Sequence, residues 1–135
     1  MEIKNDLQEL DVVCDKVNAF CAEHNLSERY HDIVLILDEL ITNIVSYAYP
    51  EGGEHIFSLK IERCDDKICI CLTDDGIPFD PSSLSSPDTE SSLEERKVGG
   101  LGIFLVRQLS EALEYSRVDN KNQLLIKVSV EKKEE

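Results

Sequence analysis

The chain has 135 residues, 41% hydrophobic and 31% charged, with a formal net charge of −14. That length and balance fit one globular domain with a core of its own, while the acidity excludes ordinary nucleic-acid binding, which neutralises phosphates with lysine and arginine. No apolar run reaches the roughly 18 residues that cross a bilayer, and MEIKNDLQEL at the start has neither the basic nor the apolar region of a leader. A cytoplasmic protein with no direct membrane contact is therefore expected.

Asp6 to about Glu23 reads as a helix, with Asp6 as its cap, Glu9 in capping-box position, and Leu7, Leu10, Cys14, Val17 and Cys21 as its apolar stripe. Asn25 and Ser27 supply a break and a new cap. The next helix holds Ile33 to Tyr49, IVLILDELITNIVSYAY. Its stripe is Ile33, Leu37, Leu40, Ile44 and Ala48, and Val34, Leu35 and Ile36 fill most of the remaining circumference, so the helix is covered on more than one side. Pro50 ends it, and Glu51, Gly52 and Gly53 form the turn.

The period then changes to two. Phe57, Leu59 and Ile61 alternate with polar residues, Asp65 and Asp66 turn the chain, and Ile68, Ile70 and Leu72 follow, which predicts an antiparallel hairpin. Asp74, Asp75, Gly76, Ile77 and Pro78 form a turn at the strand end. Asp80 to Val98 is rich in serine and proline and poor in periodic hydrophobics, a loop long enough to be functional or disordered. It runs into Val98, Gly99, Gly100, Leu101 and Gly102. Ile103, Val106, Leu109 and Leu113 then give a third helix, and a second hairpin pairs Leu113–Val118 with Gln123–Val130 across Asp119 to Asn122. The order of elements indicates an α+β two-layer sandwich, with helices on one face of a mixed, mostly antiparallel sheet.

Five cysteines form no C-x-x-C pair and read as free thiols. His24, His31 and His55 show no metal-ligand spacing. Three other features carry possible chemistry. Glu39 and Asn43 lie four residues apart on one edge of the apolar helix, where a carboxylate needs a partner. Taken alone, the pair reads first as a satisfied helix edge. Asp74 and Gly76 in isolation are only a turn. Gly99, Gly100 and Gly102 stand before a helix N-terminus, where backbone N–H groups favour an anion, although a plain tight turn fits equally well.

The three in this order resemble the GHKL (Bergerat) histidine-kinase-like ATP-binding superfamily, and within it the branch of anti-sigma-factor serine/threonine kinases. DELITNIVSYAYP is similar to the family's N box, DDGIPFDP to its first glycine box and GGLGIFLVRQLSE to its second. The resemblance runs from about Leu26 to Val130 and implies the Bergerat sandwich as one domain over residues 1–135. It implies ATP and Mg²⁺ as cofactors, with Asn43 as the Mg²⁺ ligand and Glu39 as the general base. Asp74 would accept from the adenine amino group, and Gly76 would let the ring approach. Gly99, Gly100, Leu101 and Gly102 would wrap the phosphates, and Asp80 to Val98 would be the lid, with Arg96 and Lys97 at its end read first as solvated charges and otherwise as a contact to the γ-phosphate. Two departures stand out. Pro78 occupies the place of a second glycine, and Asn122, Gln123 and Leu124 occupy the region where a threonine is often found.

The implied function is that of an ATP-binding anti-sigma factor with serine/threonine kinase activity, a homodimer that phosphorylates a STAS-type antagonist and sequesters a sigma factor. The alternative is a catalytically silent, nucleotide-gated binding switch of the same fold. Retention of Glu39 favours the enzyme, because a pure switch needs no base.

Overall fold

The computed structural model describes residues 1–81 and 100–131. Its elements are β1 (Glu2–Lys4), α1 (Leu10–Glu23), α2 (Tyr30–Asn43), β2 (Ile56–Cys64), β3 (Lys67–Asp74), α3 (Gly100–Leu109), β4 (Ala112–Val118) and β5 (Lys121–Ser129). The five strands form one sheet in the order β1-β2-β3-β5-β4. Every pairing is antiparallel, so the sheet expected to be mixed has no parallel pair among the described residues.

Alternation builds the layer beneath the helices. Phe57 and Leu59 on β2, Ile68, Ile70 and Leu72 on β3, and Leu124, Ile126 and Val128 on β5 are all buried. They meet Val13, Val17, Phe20 and Cys21 of α1, Ile33, Ile36, Leu37, Leu40 and Ile41 of α2, and Ile103 and Val106 of α3 in one cluster. Full burial of each such aliphatic side chain contributes about 1.5–3 kcal/mol. The opposite sheet face carries Cys69, Cys71, Gln123 and Lys127, all half-buried. The cysteines are free thiols, as expected.

The first helix differs from its predicted form. Asp6 does cap, accepting from the Gln8 amide at 2.9 Å, but it caps a single 3-10 turn, Leu7–Glu9, ahead of α1. A capping box with Glu9 would need the Asp6 N–H, which already donates to the Lys4 carbonyl at 2.8 Å. Because the α-helix starts at Leu10, its buried face is Val13, Val17, Phe20 and Cys21, while Leu7 is exposed. β1 was not expected. It has three residues and one buried side chain, Ile3, too few for a visible alternation.

α2 is preceded by a 3-10 turn, Ser27–Arg29, and Asn25 takes a positive φ at the break. All five residues of its predicted stripe are buried. The α-helix ends at Asn43, however, and Ile44–Ala48 continues as a π-helical turn. The second hairpin also differs. The turn is only Asp119 and Asn120, both at positive φ, the geometry of a two-residue hairpin loop that follows the strand twist. Asn122 therefore lies inside β5, opposite Asp74 of β3 and Arg117 of β4.

Candidate active site

Glu39 and Asn43 lie one turn apart on α2, about 6 Å along its axis. Asn43 is 5% exposed, and its Nδ2 is buried without a hydrogen-bond partner. Leaving a buried donor unmade costs about 1–3 kcal/mol, so an orphan amide N–H at this place calls for an acceptor, such as a ligand oxygen, to complete it. The π turn starts at the next residue. Widened turns of this kind are rare and gather at functional sites.

That turn delivers Ala48 to the end of β3. The Ile77 amide donates to the Ala48 carbonyl at 2.9 Å, and a Cβ added to Gly76 would collide with the carbonyl and Cβ of Ala48. Only glycine lets the two segments approach so closely. Tyr49, the following residue, donates its hydroxyl to Asp75 Oδ1 at 3.0 Å and stacks on His55 at 4.0 Å. Burial first, and then the Asp75 hydrogen bond, hold the phenol well above its ordinary pKa.

At the other end of the same helical stretch, α3 comes against Glu39. A Cβ on Gly102 would run into Glu39 Oε2. Gly102 was expected in a loop ahead of the helix, together with Gly100 and Leu101, but all three belong to the first turn of α3. Their amides are therefore among the N-terminal N–H groups that have no partner within a helix. Burial raises the Glu39 carboxyl above its ordinary pKa, and the neighbouring Asp38 charge adds to the rise. A carboxylate moved toward neutrality is a stronger base than one in water.

Asp74 is 6% exposed. Its Oδ1 accepts from the Gly76 amide and from Asn122 Nδ2, both at 2.9 Å. Asn122 also donates to the Ile77 carbonyl at 2.7 Å, and its Oδ1 accepts from the Tyr115 hydroxyl at 2.5 Å and the Phe79 amide at 3.3 Å. Arg117 Nη1 donates to the Gly76 carbonyl at 2.8 Å. Phe79 stacks on Tyr47 of the π turn at 5.1 Å. The turn after β3 is thus held from two sides, by the π turn and Tyr49 that follow α2 and by the β4–β5 hairpin.

These contacts order the expected site residues along one path. Gly102 sits at Glu39, Asn43 follows one turn later, and Gly76 sits at Ala48 with Asp74 beside it. Gly99, Arg96, Lys97 and nearly all of the Asp80 to Val98 segment lie outside the described residues.

A family model described as the histidine kinase-like ATPase domain matches residues 3–128. The chain belongs to that family. Among curated relatives, it is 30% identical over 134 residues to the serine/threonine-protein kinase BtrW of Bordetella bronchiseptica, covering 93% of this chain and 94% of the relative. It is 36% identical over 87 residues to the serine-protein kinase RsbW of Halalkalibacterium halodurans, an alignment covering 62% of this chain and 52% of that one. The histidine kinase domain of the blue-light-activated kinase of Erythrobacter litoralis shares the fold at a TM-score of 0.53 and 20% identity, over 76% of this chain and 45% of that one. The α+β architecture expected from the resemblance is therefore the architecture of this chain.

The residues suit a nucleotide with a hard cation. The Asn43 amide at the end of α2, whose oxygen is a hard donor, the Asp74 carboxylate at the end of β3 and the first-turn amides of α3 at Gly100 to Gly102 are the polar groups it would meet. The resemblance implied no role for Asn122 or Tyr115. The D-N-K-N run reads as a turn throughout, and the Asp119-Asn120 pair, residue types that tolerate the positive φ of a two-residue hairpin loop, was the signal that would have moved Asn122 into the strand. Among the described residues no helix is long and apolar enough to cross a membrane.

Proposed function

We propose that this protein is an ATP-dependent serine/threonine protein kinase that acts on a STAS-type anti-sigma-factor antagonist and, as a homodimer, holds a sigma factor inactive. The observation that carries the reading is the pair of steric fits, one on α2 and one on the π turn that continues it. Gly102 is packed on Glu39 and Gly76 on Ala48, which supports reading Glu39, Asn43 and Asp74 as base, metal ligand and nucleobase acceptor. The name of the relative that matches along nearly its whole length supports the protein-kinase activity.

Phosphoryl transfer depends on positioning and charge neutralisation more than on covalent help from the protein. In this reading Asp74 receives the base's amino group. The Gly100 to Gly102 amides receive phosphate oxygens at the α3 N-terminus, and Asn43 holds the cation through its amide oxygen. Mg²⁺, when bound, offsets the charge that gathers on the phosphate oxygens. Glu39 takes the proton from the attacking serine or threonine hydroxyl, a task that its raised pKa suits.

The test is a thermal shift with Mg-ATP, Mg-ADP and Mg-GTP on wild type and Asn43→Ala, followed by labelled ATP with the STAS proteins of the source genome. Stabilisation by ATP that is lost in Asn43→Ala, with label on a STAS hydroxyl only when Glu39 is intact, is the expected result. Binding without transfer would leave the nucleotide-gated switch. No ATP-dependent shift would return Glu39, Asn43 and the glycines to structural roles.

A further inference from the structure

The side chain of Asn122 uses its whole hydrogen-bonding capacity on the segment that holds Asp74. An amide has two donors and an oxygen with two acceptor positions. Nδ2 serves Asp74 Oδ1 and the Ile77 carbonyl, and Oδ1 receives the Tyr115 hydroxyl and the Phe79 amide. Two of these four partners are backbone groups of fixed polarity. The Ile77 carbonyl can only accept and the Phe79 N–H can only donate, so they determine which way the amide points. They also flank Pro78, which has no N–H of its own. Asn122 therefore closes the backbone on both sides of the proline, while Tyr115, two residues along β4 from Arg117, holds it from behind.

The consequence falls on Asp74. Its Oδ1 is occupied twice, by the Gly76 amide and by Asn122, and its Oδ2 carries no hydrogen bond from any described residue. A carboxylate with one oxygen committed in this way accepts from a ligand through the other oxygen alone. Adenine presents a single amino group on its six-position edge and is satisfied by one acceptor. Guanine presents a ring N–H and an amino group side by side, and is held best by a carboxylate that uses both oxygens.

We propose that Asn122, held by Tyr115, is a specificity-determining positioning residue that ties up one Asp74 oxygen and so restricts the pocket to bases offering one amino donor, adenine over guanine. This deepens the nucleotide reading of the preceding subsection and rests on it. Asn122 itself does not touch the base. It acts through the rotamer and the remaining acceptor of Asp74.

The experiment measures Mg-ADP and Mg-GDP binding by calorimetry on wild type, Asn122→Ala and Tyr115→Phe, with a thermal melt of each without nucleotide. Asn122→Ala leaves Asp74 Oδ1 held by the Gly76 amide alone and opens its second acceptor position to the ligand. The preference for ADP over GDP is expected to fall by about ten- to a hundredfold, the worth of one bidentate contact to a base edge. Tyr115→Phe removes one of two donors to Asn122 Oδ1 and shifts the preference in the same direction by less. It stands as the readout if Asn122→Ala fails to fold. A structural role alone would lower the melting temperature and weaken both nucleotides by one factor. An ADP/GDP ratio unchanged in folded variants overturns the inference while leaving the nucleotide reading intact. A wild type that binds neither nucleotide overturns both.

Discussion

Gly102→Ala separates a helix effect from a site effect. Within α3, alanine is favoured over glycine by about 0.8–1.0 kcal/mol, so the substitution on an isolated helix would stabilise. Here the new methyl group meets Glu39 Oε2, the far end of a flexible side chain, and the carboxylate has to retreat by about 1.5 Å to reach ordinary van der Waals separation. Crowding of this kind costs about 1–3 kcal/mol where the surroundings cannot give, and less here because a rotamer change relieves it. The two effects nearly cancel, and the melting temperature should stay within a few degrees of wild type. Catalysis should not be spared, because a displacement of about 1 Å in a reacting group costs on the order of a hundredfold in rate. Single-turnover transfer from labelled ATP to a STAS substrate, alongside thermal melts, reads both quantities. A Gly102→Ala protein that transfers phosphate at the wild-type rate would refute the placement of Glu39 at the reacting centre.

Gly76→Ala should behave in the opposite way. The obstacle there is the Ala48 backbone, which has no rotamer to change, so a loss of at least about 1–3 kcal/mol in stability is expected in chemical denaturation, and a wild-type midpoint would show that the turn and the π segment part easily. Glu39→Gln should raise the melting temperature of the ligand-free protein at pH 8 more than at pH 4. A carboxyl whose folded pKa is raised contributes stability that is present below its unfolded pKa and lost as pH rises through the folded value, and glutamine removes that loss. A pH-independent difference between the two proteins would contradict it. Tyr49→Phe deletes the hydroxyl that bonds Asp75 and should cost about 1 kcal/mol, with the phenol's elevated pKa disappearing from an alkaline spectrophotometric titration. A titration unaltered by the substitution would assign that signal to another tyrosine.

Much of this protein was legible along the chain because periodicity reports which face of an element is buried. The stripe from Ile33 to Ala48 and the alternation from Phe57 to Leu72 and from Leu124 to Val128 set the helices on one face of a sheet. The spacing of Glu39 and Asn43 likewise placed both on one helix edge, since four residues make about one turn. Local pattern did not determine where an element starts, because that depends on which competing hydrogen bond wins. Asp6 gives its N–H to Lys4, and α1 begins at Leu10 with a different face inward.

The sequence showed a glycine at 102 and at 76 but not what each lies against, as a steric fit exists only between segments brought together from distant parts of the chain. The same holds for Asn122. Its residue type suits a turn, and only the register of β5 between β3 and β4 turns it inward. There the backbone groups of Ile77 and Phe79 orient its amide, and the amide in turn commits one oxygen of Asp74.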